Sequence, residues 1–229
     1  RPSSPATWRR SSGAAPGVLV WPDVFGLRPA FRQMGRRLAE SGYSVLVVNP
    51  FYRQKKAPTA PQGGQTPIAE VIPLMQALSP ATHLSDGKAF VAWLDAQPEV
   101  DKSRRLGTTG YCMGGPIAVR TATVAPGRVG AVATFHGSAM VTSAPDSPHR
   151  LVPQTQARYL IAVAESDDTK DPAAKGALRA ALEGAKLPAE VEVYPAAHGW
   201  CPPDTRVYDA TQSERAWARL LVTLGAGLA

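Results

Sequence analysis

Residues 108–115 read Thr-Thr-Gly-Tyr-Cys-Met-Gly-Gly, and this stretch constrains the fold more than any other. It follows a short apolar start at Leu106 and leads into a helical run, Pro116-Ile117-Ala118-Val119-Arg120-Thr121-Ala122. A strand that enters a helix through Gly-x-Cys-x-Gly-Gly has little room to turn. Gly110 and Gly114 lack the β-carbons that would collide there, so residue 112 can occupy a strained apex. A side chain at that apex points over a sheet edge, beside a helix N-terminus whose partial positive charge favours a thiolate. A small buried cysteine in a glycine-rich turn would produce the same pattern. The rest of the chain has to separate the two readings.

Around this turn, strands and helices alternate. Val18-Leu19-Val20-Trp21 is a buried strand ended by Pro22, and Asp23-Val24-Phe25-Gly26 turns into a helix from about Pro29 to Ser41. Ser44–Val48 is the next strand, which completes a βαβ unit and implies parallel pairing. Later strands are expected at 129–135, 159–164 and 190–194. Helices are expected at 84–97 with Ser85 or Asp86 near the cap, after Asp171-Pro172 with Asp171 as cap, and at 208–224. Seven prolines and glycines interrupt 54–83; a long excursion there reads as a lid or pocket wall, or as a disordered insertion. Residues 1–17, rich in Pro, Ser, Arg and Gly, read as an N-terminal arm, and 18–229 as a single domain. The expected fold is α/β, a doubly wound, mostly parallel sheet flanked by helices on both faces.

Composition narrows the function. The 229 residues can bury a substantial core. No apolar run approaches the roughly 18 residues of a membrane span, so no membrane association is expected. The net charge of +7 comes from basic pairs scattered along the chain, such as Arg9-Arg10 and Lys55-Lys56, not from a stripe interleaved with aromatics. Nucleic acid is therefore not an expected partner. Two cysteines, Cys112 and Cys201, make no disulfide framework and suit a cytoplasmic location. The chain begins at Arg1 without Met, as a fragment or a processed form would.

In an open parallel sheet, loops at the carboxyl ends of the strands gather at one edge. Three such loops carry Cys112, then Asp167 or Asp168, then His198. Nucleophile, acid and histidine in that order form a hydrolytic triad. His198 would take the thiol proton and later activate water, while a carboxylate fixes its tautomer. Asp167 is preferred because it follows the strand end by the short Glu165-Ser166 turn. Of the other histidines, His83 and His149 are weaker candidates, and His136 is expected to satisfy hydrogen bonds beneath the site. The Met113 N–H follows the nucleophile and supplies one oxyanion donor; Val24, in the first-strand loop, is the candidate for the second. Tyr52, Arg53 and Trp200 stand beside strand ends and are expected to border the substrate pocket. Three other readings remain: a zinc site from Cys112, His198 and Cys201, a redox pair of Cys112 and Cys201, and a hydrolase-like scaffold that binds without catalysing.

The motifs Pro22-Asp23-Val24-Phe25-Gly26-Leu27, Leu38-Ala39-Glu40-Ser41-Gly42-Tyr43, Gly110-Tyr111-Cys112-Met113-Gly114-Gly115 and His198-Gly199-Trp200 together resemble the dienelactone hydrolase family of α/β-hydrolases, over about 18–217. The resemblance implies a Cys–Asp–His triad that hydrolyses small esters or lactones through an acyl-enzyme, without metal or organic cofactor. It also implies an oxyanion hole from the backbone after the first-strand acid, which fits Val24 and Met113. The family's acid contacts the resting thiol and is a Glu; here it is Asp23, one methylene shorter. The family's arginine four residues after the catalytic histidine is replaced by Pro202. The family's extra initial strands have no counterpart expected in 1–17, which implies a smaller sheet or a truncated chain.

Overall fold

The computed structural model describes residues 6–9 and 13–229; the part of the expected arm at 1–5 and 10–12 lies outside the described residues. Seven strands and eight helices alternate along the described chain: β1 (Ala6–Arg9), β2 (Gly17–Trp21), α1 (Pro29–Glu40), β3 (Ser44–Val48), α2 (Ile68–Gln76), α3 (Pro80–Ala96), β4 (Leu106–Tyr111), α4 (Gly114–Val124), β5 (Val129–Phe135), α5 (Pro148–Leu151), β6 (Arg158–Ala164), α6 (Glu165–Lys170), α7 (Ala174–Gly184), β7 (Ala189–Tyr194) and α8 (Ala210–Gly227). They build one sheet in the order β1-β3-β2-β4-β5-β6-β7. β1 runs antiparallel to β3 and every other pairing is parallel.

Period-two alternation sorts the strand residues between two cores. Val18 and Val20 face α1 and α8, in a core that includes Phe31, Leu38, Leu220 and Leu224. Leu19 and Trp21 face the opposite side, where Val91 and Leu94 of α3, Ile117 of α4 and Leu178 of α7 pack. Both faces are covered, which explains why the parallel strands read as continuous apolar runs. Strand order reverses between β2 and β4, and in such sheets the crevice at that point is where ligands bind. The register places Trp21 beside Gly110 and Tyr111 beside Phe135, so the loops after β2, β4 and β5 emerge side by side.

Three expectations about elements are corrected. Ala6–Arg9 is an edge strand and not part of an arm. It is held by main-chain pairing to β3 and by Trp8 packed edge-on against Trp93 at 5.2 Å; four residues flanked by polar sequence show no periodicity to read. α3 begins at Pro80, not near 84, because Ser79 and Thr82 close a reciprocal capping box. Asp86 therefore lies inside the helix. Asp171 is not a cap: Glu165–Lys170 forms its own short helix, and α7 starts at Ala174.

Candidate active site

Cys112 follows β4 with a positive φ of 53°, a conformation that non-glycine residues rarely adopt. The chain tolerates it because neighbours occupy its backbone groups. Its N–H donates to Phe135 O at 3.1 Å, and its carbonyl accepts from the N–H groups of Gly115 and Ser138 at 3.0 and 3.1 Å. The two glycines supply the space. A β-carbon on Gly110 would lie 2.0 Å from Gly114 O, and one on Gly114 would lie 2.3 Å from Trp21 O. The sulfur is half-buried and 3.3 Å from the Ser138 hydroxyl.

His198 lies in the loop after β7 and Asp167 in the first turn of α6. The Asp167 carboxylate Oδ2 is 2.6 Å from His198 Nδ1, and the His198 N–H donates to the Ser166 hydroxyl at 2.9 Å. Adjacent residues of α6 thus fix both ring and backbone. Asp168 turns away and pairs with Lys175 at 2.6 Å. Burial disfavours charge on His198, but hydrogen bonds and opposite charge from Asp167 and Cys112 outweigh it and push the ring up to about 10. The imidazole is thus held by the acid on one side and borders the same cavity as the sulfur.

The thiol and the imidazole open on a cavity of about 460 Å³ that Val24, Phe25, Pro67, Ile68 and Val207 also line. Among the described residues no acceptor takes the N–H of Val24 or of Met113, so both amides are available as donors. Residues 63–68 form one wall of this cavity. The excursion is pinned there: Gly63 N–H donates to Asp204 Oδ2 at 2.8 Å and Gly64 N–H to Asp204 O at 2.7 Å.

Several expected residues hold other positions. Asp23 borders the cavity, but its hydrogen bonds go to Arg28 at 2.6 and 3.0 Å and to the Phe25 N–H at 2.9 Å, not to the thiol. Its carboxyl is raised by burial, with Arg28 partly opposing. Trp200 does not border the pocket; it is fully buried, stacked on Tyr194 at 5.3 Å. Tyr52 and Arg53 do not line it either: the Tyr52 hydroxyl and the Arg53 guanidinium both bind the buried Asp86 of α3. The His136 N–H donates to Ala162 O at 2.8 Å, but among the described residues its ring satisfies no hydrogen bonds. It is 1% exposed, both ring nitrogens lack a partner, and its ring packs edge-on against His198 at 5.0 Å. Burial and the nearby His198 hold it neutral, well below the usual histidine value. Cys201 is buried in the α8 core and borders a separate cavity beside Trp217, apart from the one Cys112 lines. Among the described residues no group of three His, Cys, Asp or Glu side chains could hold a metal ion.

Arg28, Ser138, Ser166 and Asp204 escaped the sequence reading. Arg28 is fully buried and forks between Asp23 and Asp204. Its one signal is an arginine directly before Pro29, where a small capping residue is usual. Ser166 adjoins Asp167 and Ser138 follows His136 by two residues, and nothing in their spacing marks them.

A profile of the dienelactone hydrolase family matches residues 5–228. A protein of Escherichia coli (strain K12), provisionally named a carboxymethylenebutenolidase, is 27% identical over 228 residues, which cover 96% of this chain and 80% of that protein. A Synechocystis sp. protein with the same provisional name is 29% identical over 214 residues, 91% of this chain and 85% of that one. The fold superposes on a Klebsiella pneumoniae structure provisionally described as a dienelactone hydrolase, with a TM-score of 0.81, 23% identity and 96% and 98% of the two chains covered. It also superposes on a dienelactone hydrolase-like promiscuous phosphotriesterase from metagenomic libraries, with a TM-score of 0.77, 23% identity and coverage of 99% and 100%.

Proposed function

The chain belongs to the dienelactone hydrolase family of carboxylic ester hydrolases, and from that premise we propose that it cleaves small esters or lactones with Cys112 as nucleophile. The observation that carries this is the Asp167–His198 contact at 2.6 Å, with His198 and Cys112 lining one cavity. The sulfur adds to the carbonyl carbon, and the Val24 and Met113 amides receive the negative charge on the carbonyl oxygen. His198 gives its proton to the departing oxygen, leaving a thioester on Cys112. Water then loses a proton to His198 and attacks the acyl carbon, the carbon–sulfur bond breaks, and the acid leaves. Asp167 holds the imidazole in the tautomer this needs and stabilises its charged form.

The acid that contacts the thiol in the family has no such duty here, because Arg28 occupies Asp23. Ser138 supplies the hydrogen-bonding contact to the sulfur instead. A redox role shared with Cys201 gains no support, since the two thiols border different cavities. The test is a p-nitrophenyl ester with a short acyl group. A burst of nitrophenol equal to the enzyme concentration is expected, absent in Cys112→Ala. Full activity in that variant would overturn the nucleophile assignment.

A further inference from the structure

Two cavities meet at His198, and the reaction above uses only one of them. The larger, about 460 Å³, contains Val24 and Cys112 and has Ile68 and Val207 exposed at its mouth. The smaller, about 240 Å³, lies on the Asp167 side, between α7 and the loop after β5, with Ser138, Met140, Ile161, Ala174 and Leu178 in its walls. Ser138 is 3.3 Å from the nucleophilic sulfur, so the smaller cavity begins within contact distance of the reaction centre. His198 borders both.

Thiol-mediated ester cleavage is directional. The carbonyl oxygen has to face the Val24 and Met113 amides, which directs the acyl half into the cavity that holds Val24. The alcohol oxygen has to meet the N–H of His198 as its bond to carbon breaks. It therefore departs past the imidazole, away from Val24, towards the other cavity. We propose that the smaller cavity is the subsite for the leaving alcohol and takes a small, uncharged, apolar alcohol or phenol. This rests on Cys112 and His198 acting as described above.

Size and charge define that class. An apolar cavity of about 150 Å³ is enough for benzene, so 240 Å³ admits one substituted ring and little more. The floor is Met140, Ile161 and Leu178. The charges around it balance in sign: Lys175 pairs with Asp168, Asp167 faces His198, and Lys170 and Asp171, of opposite charge, both line the cavity without an ion pair between them among the described residues. In acylation the sulfur–carbon bond forms, the carbon–oxygen bond breaks, and the alcohol leaves through this subsite carrying the His198 proton. The acyl group stays over the larger cavity as a thioester until water replaces the sulfur. The enzyme should accordingly tolerate long acyl chains better than large alcohols.

Ratios of kcat/KM test the assignment. Phenyl over methyl butyrate reports alcohol size, and phenyl octanoate over phenyl acetate reports acyl length. Ala174→Trp should lower the first ratio about tenfold or more and move the second by less than about twofold; Ile68→Trp should do the reverse. Ala174→Leu, a milder filling, should give the same pattern at smaller amplitude if the tryptophan impairs folding. The subsite assignment is overturned if Ala174→Trp changes the acyl ratio instead, or if both variants leave both ratios unchanged while the nitrophenol burst persists. A burst that survives Cys112→Ala is a different failure, because it removes the nucleophile and the subsite assignment with it.

Discussion

The Oδ2 of Asp167 stands 2.6 Å from Nδ1 of His198 across 31 residues of chain. The helix that carries Asp167 also holds the His198 main chain through Ser166. Replacing Asp167 by Asn keeps size and removes charge. The prediction is a fall in kcat of about 10²–10⁴-fold with little change in KM, since the tautomer is lost and not the binding cavity. Steady-state kinetics on phenyl acetate measures it. Near-normal kcat would remove Asp167 from the triad.

The raised His198 has a consequence for stability. Its folded value, about 10, lies above the roughly 6.5 of an unfolded histidine. The folded state therefore holds this proton more tightly. The stabilisation is fully present below about pH 6.5 and is lost as pH rises through about 10. Urea midpoints of the wild type and of His198→Gln should differ most at pH 6 and converge by pH 10. A gap that widens over that range would contradict the sign.

Much of this was legible because the decisive residues sit where strands end. Val18–Trp21, Leu106–Tyr111 and Val129–Phe135 are continuous apolar or small-residue runs, as expected of strands covered on both faces. Gly110 and Gly114 announce the tight turn at Cys112 because the collision they avoid is local. Partners brought together by packing alone were not legible. Arg28 and Asp204 lie 176 positions apart, and no period or motif links them. Tyr52 and Arg53 follow a strand end as site residues do, yet a buried acid in α3 claims them; Asp86 looked like a cap because the true cap, Ser79, lies seven residues earlier. Trp200 lies two residues after His198 but turns inward to Tyr194, and a sequence does not show that direction.

Arg28 is the clearest case of such a partner. Four hydrogen bonds tie its guanidinium to Asp23 and Asp204 at 2.6–3.0 Å. It joins the loop that carries the Val24 amide to the segment that pins Gly63. Arg28→Met would leave two carboxylates facing each other without their cation, at a cost of about 3–5 kcal/mol. Arg28→Lys should fall between, because an ammonium cannot fork to both acids. Urea denaturation at neutral pH measures both. Equal stability of wild type and Arg28→Met would show that the network contributes nothing.

Gly114 sets how closely the helix after Cys112 approaches the first-strand loop. A β-carbon there would lie 2.3 Å from Trp21 O and 2.7 Å from Pro22 O, and backbone oxygens at the end of a buried strand cannot swing aside. Gly114→Ala should therefore push α4 away from the 22–24 turn. That separates the Met113 and Val24 amides, which the proposed mechanism brings onto one oxygen. Two losses should appear together: about 1–3 kcal/mol of stability from overpacking, and a fall in kcat of about 10²-fold as one oxyanion donor moves out of reach. Gly176, on the solvent-exposed face of α7 with nothing within 4 Å of its missing β-carbon, is the matched control. Gly176→Ala should gain about 0.5–1 kcal/mol by limiting the unfolded chain. Thermal melts and kcat on one ester separate the cases. Gly114→Ala with unchanged kcat would mean that the two amides do not share the oxyanion.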